Sequence, residues 1–275
     1  MQRSIFITGC STGIGYTAAH QLQQHGFQVI ASCRQIKDVE RLEKEGLTCL
    51  HLDYSKPETI TQAIQELLVL TDGKLYALFN NGAYGQAGAL EDLPRDALKE
   101  QFESNFFGWH QLVTELLPAM RKQGEGRIIQ NSSVLGIVAM KYRGAYNASK
   151  FAIEGWTDTL RLELSDTNIK ISLIEPGPIE TEFRSNALKA FKKWVDIEKS
   201  PHKEKYLIQQ TRLEKEHSGS AFVLPSESIV PPLLHALNSS RPKARYRVTF
   251  PTHLFAILKR LLPTKYLDKI LNKSD

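Results

Sequence analysis

The 275-residue chain predicts an α/β fold, a doubly wound parallel sheet of about seven strands covered by helices on both faces. Three observations carry that reading. Short apolar runs alternate with stretches of helical periodicity. The runs are continuously apolar, as strands buried on both faces are. A glycine-rich turn follows the first run and opens the first helix.

In chain order, Ser4–Ile7 reads as the first strand, and residues 16–25 as a helix stopped by Gly26. Residues 28–31 and 48–52 read as the second and third strands. Residues 57–70 read as a helix with Ser55 near its start, and residues 75–79 as the fourth strand. Residues 95–121 are mostly helical, 127–130 form a fifth strand, 146–164 a helix and 170–174 a sixth strand. Residues 246–248 supply a short seventh. Right-handed crossovers make such a sheet doubly wound, with ligands at the carboxyl ends of its strands.

Two segments break the rhythm within what reads as one domain over residues 1–275. Residues 182–224 are polar, Lys-rich and irregular, which suits a substrate lid better than a plain surface excursion. Residues 251–275 form an appendage in which Phe255, Ile257, Leu258, Leu261, Leu262, Leu267, Ile270 and Leu271 alternate with Lys259, Arg260, Lys265, Lys269 and Lys273. That is the pattern of a basic amphipathic helix, which Pro263 divides into two. Packing on the protein's own core or on a partner subunit is the expectation; membrane contact is the less favoured alternative.

Composition excludes several classes. Apolar residues make up 41% and charged residues 24%, an ordinary globular balance. The net charge of +5 is concentrated toward the C-terminal part and reads first as solvated surface, with an anionic ligand or membrane as alternatives. No arginine-rich run or aromatic signature supports nucleic acid. Cys10, Cys33 and Cys49 stand singly in apolar segments, so buried thiols are expected in place of a disulfide frame or zinc ribbon. The eight histidines show no ligand spacing, and no metal is expected. The N-terminus lacks a signal-peptide pattern, and no apolar run approaches the roughly 18 residues of a spanning helix. A cytoplasmic setting is the expectation.

The chemistry-bearing motifs begin with Thr8-Gly9-Cys10-Ser11-Thr12-Gly13-Ile14-Gly15. Gly9 permits the turn, Gly13 lets backbone approach a pyrophosphate, and Gly15 lets helix pack on strand. Free amides and the helix dipole then favour phosphates, as in Rossmann-like nucleotide sites. Ser11 and Thr12 add hydroxyls. The second strand ends at Arg34, where an acid would serve the ribose of NAD; arginine suits the 2′-phosphate of NADP. Tyr146 and Lys150 stand four apart at the start of a helix and so share a face. A phenol is a poor base at neutral pH, and a neighbouring ammonium favours its ionised form. The pair suits acid/base catalysis.

Together these motifs resemble the short-chain dehydrogenase/reductase family. Ser133 stands thirteen residues before the tyrosine, Asn105 lies in Asn-Phe-Phe-Gly, Asn80-Asn81 follow the fourth strand, and Pro176-Gly177-Pro178-Ile179-Glu180-Thr181 follow the sixth. The resemblance spans about residues 3–181 in order and spacing. Arg143-Gly144-Ala145-Tyr146, Glu175 to Ile179 and Leu258 to Pro263 are similar to a bacterial subgroup of NADP-dependent aldehyde reductases related to 17β-hydroxysteroid dehydrogenases.

The resemblance implies a Rossmann-like fold, NADP(H) as cofactor, and hydride transfer between it and an aldehyde, ketone or alcohol. Tyr146 would exchange the proton, Lys150 would lower its pKa and hold the nicotinamide ribose, and Ser133 would bond the substrate oxygen. Asn105 would hold a water linking Lys150 to solvent. Asp53 would contact the adenine amine, Asn81 the adenosine side, and Pro176, Gly177, Ile179 and Thr181 the nicotinamide end. Ser132 competes with Ser133 for its role, since strand alternation points only one inward. A homodimer or homotetramer is implied, paired through helices near 95–122 and 146–165. One departure stands out. The family's Asn-Asn-Ala-Gly is here Asn80-Asn81-Gly82-Ala83, so a slot requiring positive φ would strain Ala83 and shift the local backbone. A hydroxysteroid or retinol dehydrogenase would use the same residues. A non-catalytic NADP-sensing protein would have no use for the full Ser133, Tyr146 and Lys150 set.

Overall fold

The computed structural model describes residues 2–214 and 221–273. Its elements run β1 (Ser4–Ile7), α1 (Gly13–Gln24), β2 (Gln28–Cys33), α2 (Ile36–Lys44), β3 (Thr48–His51), α3 (Pro57–Leu70) and β4 (Ala77–Asn80). Then follow α4 (Arg95–Phe102), α5 (Gly108–Gln123), β5 (Gly126–Asn131), α6 (Gly144–Glu163) and β6 (Ile169–Glu175). The chain continues through α7 (Phe183–Trp194), α8 (Lys203–Glu214), α9 (Val230–Asn238), β7 (Arg245–Arg247), α10 (Phe250–Leu261) and α11 (Thr264–Leu271).

The strands form one sheet in the order β3-β2-β1-β4-β5-β6-β7, with every pairing parallel. The order reverses between β1 and β4, and the crevice outside their carboxyl ends is where such sheets bind ligands. Strand alternation divides the core. Ile5 and Ile7 face α1 and α9 with Ala18, Leu22, Leu233 and Leu237. Phe6 faces the opposite layer with Ile64, Leu67, Trp109, Leu112 and Ile153. Each such fully buried side chain contributes about 1.5–3 kcal/mol of transfer free energy. Cys10, Cys33 and Cys49 are free buried thiols, as their apolar settings predict.

The 182–224 segment, of which residues 215–220 lie outside the described residues, is corrected from irregular to largely helical over the rest. It carries α7 and α8, which enclose a small core of their own with Phe191, Val195 and Tyr206 against Ala89, Leu93 and Ala97. Tyr206 anchors it: its hydroxyl accepts the Ala89 amide at 2.7 Å and donates to Asp92. Among residues 95–121, the predicted single helix is α4, a π-helical turn at Glu103–Phe107, and α5. Pro263 divides the C-terminal appendage as expected, ending α10 at Leu261 and starting α11 at Thr264. Phe255 and Leu267 bury their rings and branches against Val134, Leu135, Val138 and Tyr146. Among the described residues no helix is long and apolar enough to cross a membrane.

Candidate active site

A cleft of about 980 Å³ opens at the carboxyl ends of the strands. Gly9, Ser11, Thr12, Gly13, Ile14, Arg34, Asp53 and Asn81 line one part of it. Ser133, Tyr146, Lys150, Pro176, Gly177, Ile179 and Thr181 line the same cleft. Two predicted residues stand behind that surface. Gly15 is buried in α1, and Asn105 is buried in the π-helical turn.

The glycine loop has the backbone that only glycine adopts without strain. Gly9 has φ +67° and Gly13 φ +60°. Gly15 serves close approach instead, since a Cβ there would lie 2.3 Å from the Gly9 carbonyl oxygen. No side chain caps the N-terminus of α1, so its first amides have no side-chain partner. The expected strain at Ala83 does not arise, because neither Gly82 nor Ala83 takes positive φ. Gly9 is needed for close approach as well: a Cβ there would lie 2.4 Å from the Gly82 Cα, and the two backbones pass in near contact. The Asn81 amide group fixes that crossing. It donates to the Thr8 and Gly9 carbonyls at 3.0 and 3.3 Å and accepts from Asn131 at 2.8 Å.

Arg34 stands exposed where β2 ends, and the His51 ring meets its carbonyl at 3.0 Å. Asp53 begins a turn, accepting the Ser55 amide at 3.0 Å and the Ser55 hydroxyl at 2.8 Å. Arg41, which sequence reasoning passed over, donates to the Ser11 carbonyl at 2.6 Å and braces the glycine loop from α2.

The Tyr146 hydroxyl shares the cleft with Ser133, whose hydroxyl acts on it. Burial pushes this phenol up to about 12, against the Ser133 hydrogen bond and the Arg143 guanidinium, which hold it down. Ser133 is fixed in turn by accepting the Leu135 amide at 3.1 Å. Its rival Ser132 lines the same cleft and also stands beside Glu154 on α6. Tyr142, four residues before the tyrosine, has φ +59°, a left-handed conformation costing a non-glycine residue about 1–2 kcal/mol. Such strain clusters at functional sites.

Lys150 is buried. Its ammonium donates to the Asn131 carbonyl at 2.7 Å and lies 4.5 Å above the Trp109 ring. Burial lowers it to about 7, with the Glu154 carboxylate opposing. Trp109 and Asn131 were not read from sequence as site residues, and nothing in their local pattern marks them. Asn105 accepts the Tyr84 amide at 3.2 Å and donates to the Tyr84 carbonyl at 2.9 Å and the Ser149 hydroxyl at 3.2 Å. The π-helical turn that carries Asn105 is a distortion common at functional sites.

The family model for short chain dehydrogenases matches residues 3–191. The chain belongs to that family. It is 45% identical over 275 residues to YbbO, an uncharacterised oxidoreductase of Escherichia coli strain K12, covering 98% of this chain and 94% of that one. It is 37% identical over 196 residues to human retinol dehydrogenase 8, covering 68% of this chain and 62% of the relative. A short-chain dehydrogenase/reductase of Burkholderia phymatum, solved in complex with NAD, superposes with a TM-score of 0.79 at 21% identity. That match covers 98% of this chain and 95% of the other. The Rossmann-like fold and the oxidoreductase family are thereby established.

Proposed function

We propose that this short-chain dehydrogenase is an NADP(H)-dependent oxidoreductase that reduces an aldehyde or ketone, or oxidises the corresponding alcohol. One observation carries the reading: Ser133 and Tyr146 open on the same cleft as Lys150 and the glycine loop. The residues fit a dinucleotide. Positive φ at Gly9 and Gly13 and the uncapped N-terminus of α1 make the cradle a pyrophosphate requires. Ser11, Thr12, Gly13 and Ile14 would hold the phosphates, with Asp53 and Asn81 at the adenosine end and Ile179 and Thr181 at the nicotinamide end. Arg34 supports NADP over NAD, because a guanidinium pairs with a 2′-phosphate. The fold itself accepts either cofactor, since the Burkholderia phymatum protein holds NAD.

The cofactor supplies the hydride; the chain supplies orientation and a proton. In reduction, the Tyr146 hydroxyl gives its proton to the carbonyl oxygen as the carbon gains the hydride, and the product is the alcohol. Ser133 holds that oxygen beside the phenol. Lys150 supplies positive charge that stabilises the phenolate left behind. Asn105 and Ser149 keep the π-helical turn against α6, which fixes the position of Lys150. Helices α7 and α8 serve as the cover over the substrate.

A hydroxysteroid or retinol dehydrogenase would use the same residues, and the retinol dehydrogenase relative keeps that reading open. Following NADPH absorbance against a panel of aldehydes, ketones, steroids and retinoids tests both. Turnover of none of them, with NADPH bound, would leave the cofactor-sensing alternative.

A further inference from the structure

We propose that Arg184 on α7 and Arg212 on α8 form an anion-binding subsite in the catalytic cleft, so that the substrate carries a carboxylate or phosphate remote from its reacting carbon. The inference rests on the oxidoreductase reading above and adds the substrate's chemical class to it.

Both guanidinium side chains line the cleft that contains Tyr146. The residue before Arg184 locates it closely, because the Phe183 ring meets the Tyr146 ring edge-on with centroids 5.3 Å apart. The Arg184 Nη1 atom is buried without a hydrogen-bond partner. A buried donor in that state costs free energy that folding does not recover, and a charged one costs more.

Arg184 and Arg212 also differ from the part-buried arginines that pair with carboxylates. Arg161 pairs with Asp158, and Arg245 pairs with Glu154, Asp158 and Glu175. Among the described residues neither Arg184 nor Arg212 has a carboxylate partner. They act on each other instead: burial and the Arg212 charge both push Arg184 below its ordinary value. Two like charges from different helices line the same cleft, and the attraction that would offset their repulsion is an anion.

The helix ends agree. Arg184 sits in the first turn of α7, where the macrodipole disfavours a cation. A solvated surface arginine shows none of these features.

The oxyanion has two possible sources, a group on the substrate or the phosphates of the cofactor. The subsite stands next to Phe183, which packs on the Tyr146 ring, and its helices are held by the separate core of Phe191 and Tyr206, which favours the substrate.

Kinetics separate the two. An ω-oxocarboxylic acid of about ten carbons and its methyl ester are compared at saturating NADPH, in the wild type, Arg184→Gln and Arg212→Gln. The expected acid-to-ester ratio of kcat/KM in the wild type is well above one. It falls about 10–100-fold in each variant, the loss of a hydrogen-bonded charge contact. Equal use of acid and ester by the wild type overturns the proposal. So does a rise in the KM for NADPH that affects both substrates alike, which assigns the arginines to the cofactor.

A binding arm covers the case in which neither substrate turns over. Decanoate is expected to raise the Tm of the NADP complex in the wild type and not in Arg184→Gln, while decanol acts equally on both. No decanoate effect in the wild type overturns the subsite. A decanoate effect without turnover retains the subsite and overturns the reductase reading.

Discussion

The Lys150 ammonium bonds the Asn131 carbonyl at 2.7 Å and stands 5.7 Å from the Tyr146 ring. The two side chains share one face of α6, while the phenol itself answers to burial, Ser133 and Arg143.

This placement is costly to the fold, and the cost depends on pH. Burial lowers Lys150 to about 7 from its ordinary 10.5. Below pH 7 the folded chain carries a buried ammonium that the unfolded chain keeps in water. Between pH 7 and about 10.5 the unfolded chain binds the extra proton, so stability rises with pH across that window. Lys150→Met removes the penalty and gives up one hydrogen bond worth about 1 kcal/mol. The cofactor-free variant should be inactive yet more stable than the wild type by about 3 kcal/mol at pH 6, with the gap closing toward pH 10. Urea unfolding at both pH values measures it; a variant less stable at pH 6 would refute the account.

Tyr146→Phe removes the hydroxyl and keeps the ring packed on Phe183 and Phe255. NADPH should bind with unchanged affinity while kcat falls at least about 100-fold, the usual range for a lost general acid. Fluorescence titration and steady-state kinetics check the two halves. Residual activity above a tenth of wild type would remove Tyr146 from its proposed role.

Arg34→Asp should lower kcat/KM for NADPH about 30-fold or more and leave NADH less affected. Arg34 is exposed and pairs with no carboxylate among the described residues, so stability should not change. A wild type that uses both cofactors equally, or a variant with unchanged selectivity, assigns Arg34 to the solvated surface.

The sheet was legible because buried parallel strands are continuous apolar runs, and the glycine loop because its chemistry demands residue types in fixed order. The tyrosine, the lysine and the serine pair were visible as candidates for the same reason, and all of them line one cleft. Short, highly charged helices were less visible. Helix α2 buries only Val39 and Leu42 among six charged neighbours, and α9 opens on Pro231-Pro232, which reads as a break. Helix α7 does carry a period, Phe183, Ala187 and Phe191, but its lysines dominate the pattern. Asn131, Trp109, Arg184 and Arg212 come to the site from distant segments, and no local spacing reveals that convergence.

Two glycine-to-alanine changes should have opposite signs. At Gly15 an added Cβ meets the Gly9 carbonyl oxygen at 2.3 Å, where backbone cannot yield. Gly15→Ala should destabilise by about 1–3 kcal/mol and weaken NADPH binding through the displaced loop. At Gly155, exposed in α6, nothing lies within 4 Å of the added Cβ. Gly155→Ala should stabilise by about 0.8–1 kcal/mol through helix propensity alone. Thermal melts of both variants test the contrast; a destabilised Gly155→Ala would mean that this face is covered by another molecule.

The C-terminal appendage should support the active site from behind. Phe255 on α10 is only 8% exposed and shares a cluster with Leu135 and Tyr146, while Ile257 two residues on is 53% exposed. Phe255→Ala opens a cavity beside the catalytic ring and should cost about 3–5 kcal/mol of stability. It should also lower kcat/KM, since Tyr146 and the Ser133–Leu135 turn lose a packed neighbour. Ile257→Ala should change stability by no more than about 0.5 kcal/mol. The full chain should then stay in the supernatant with anionic vesicles at low salt, because the aromatic anchor of the amphipathic pattern faces the core. If Ile257→Ala proves as damaging as Phe255→Ala, or the chain sediments with vesicles and ceases to do so without residues 251–275, the exposed face of α10 is the working surface.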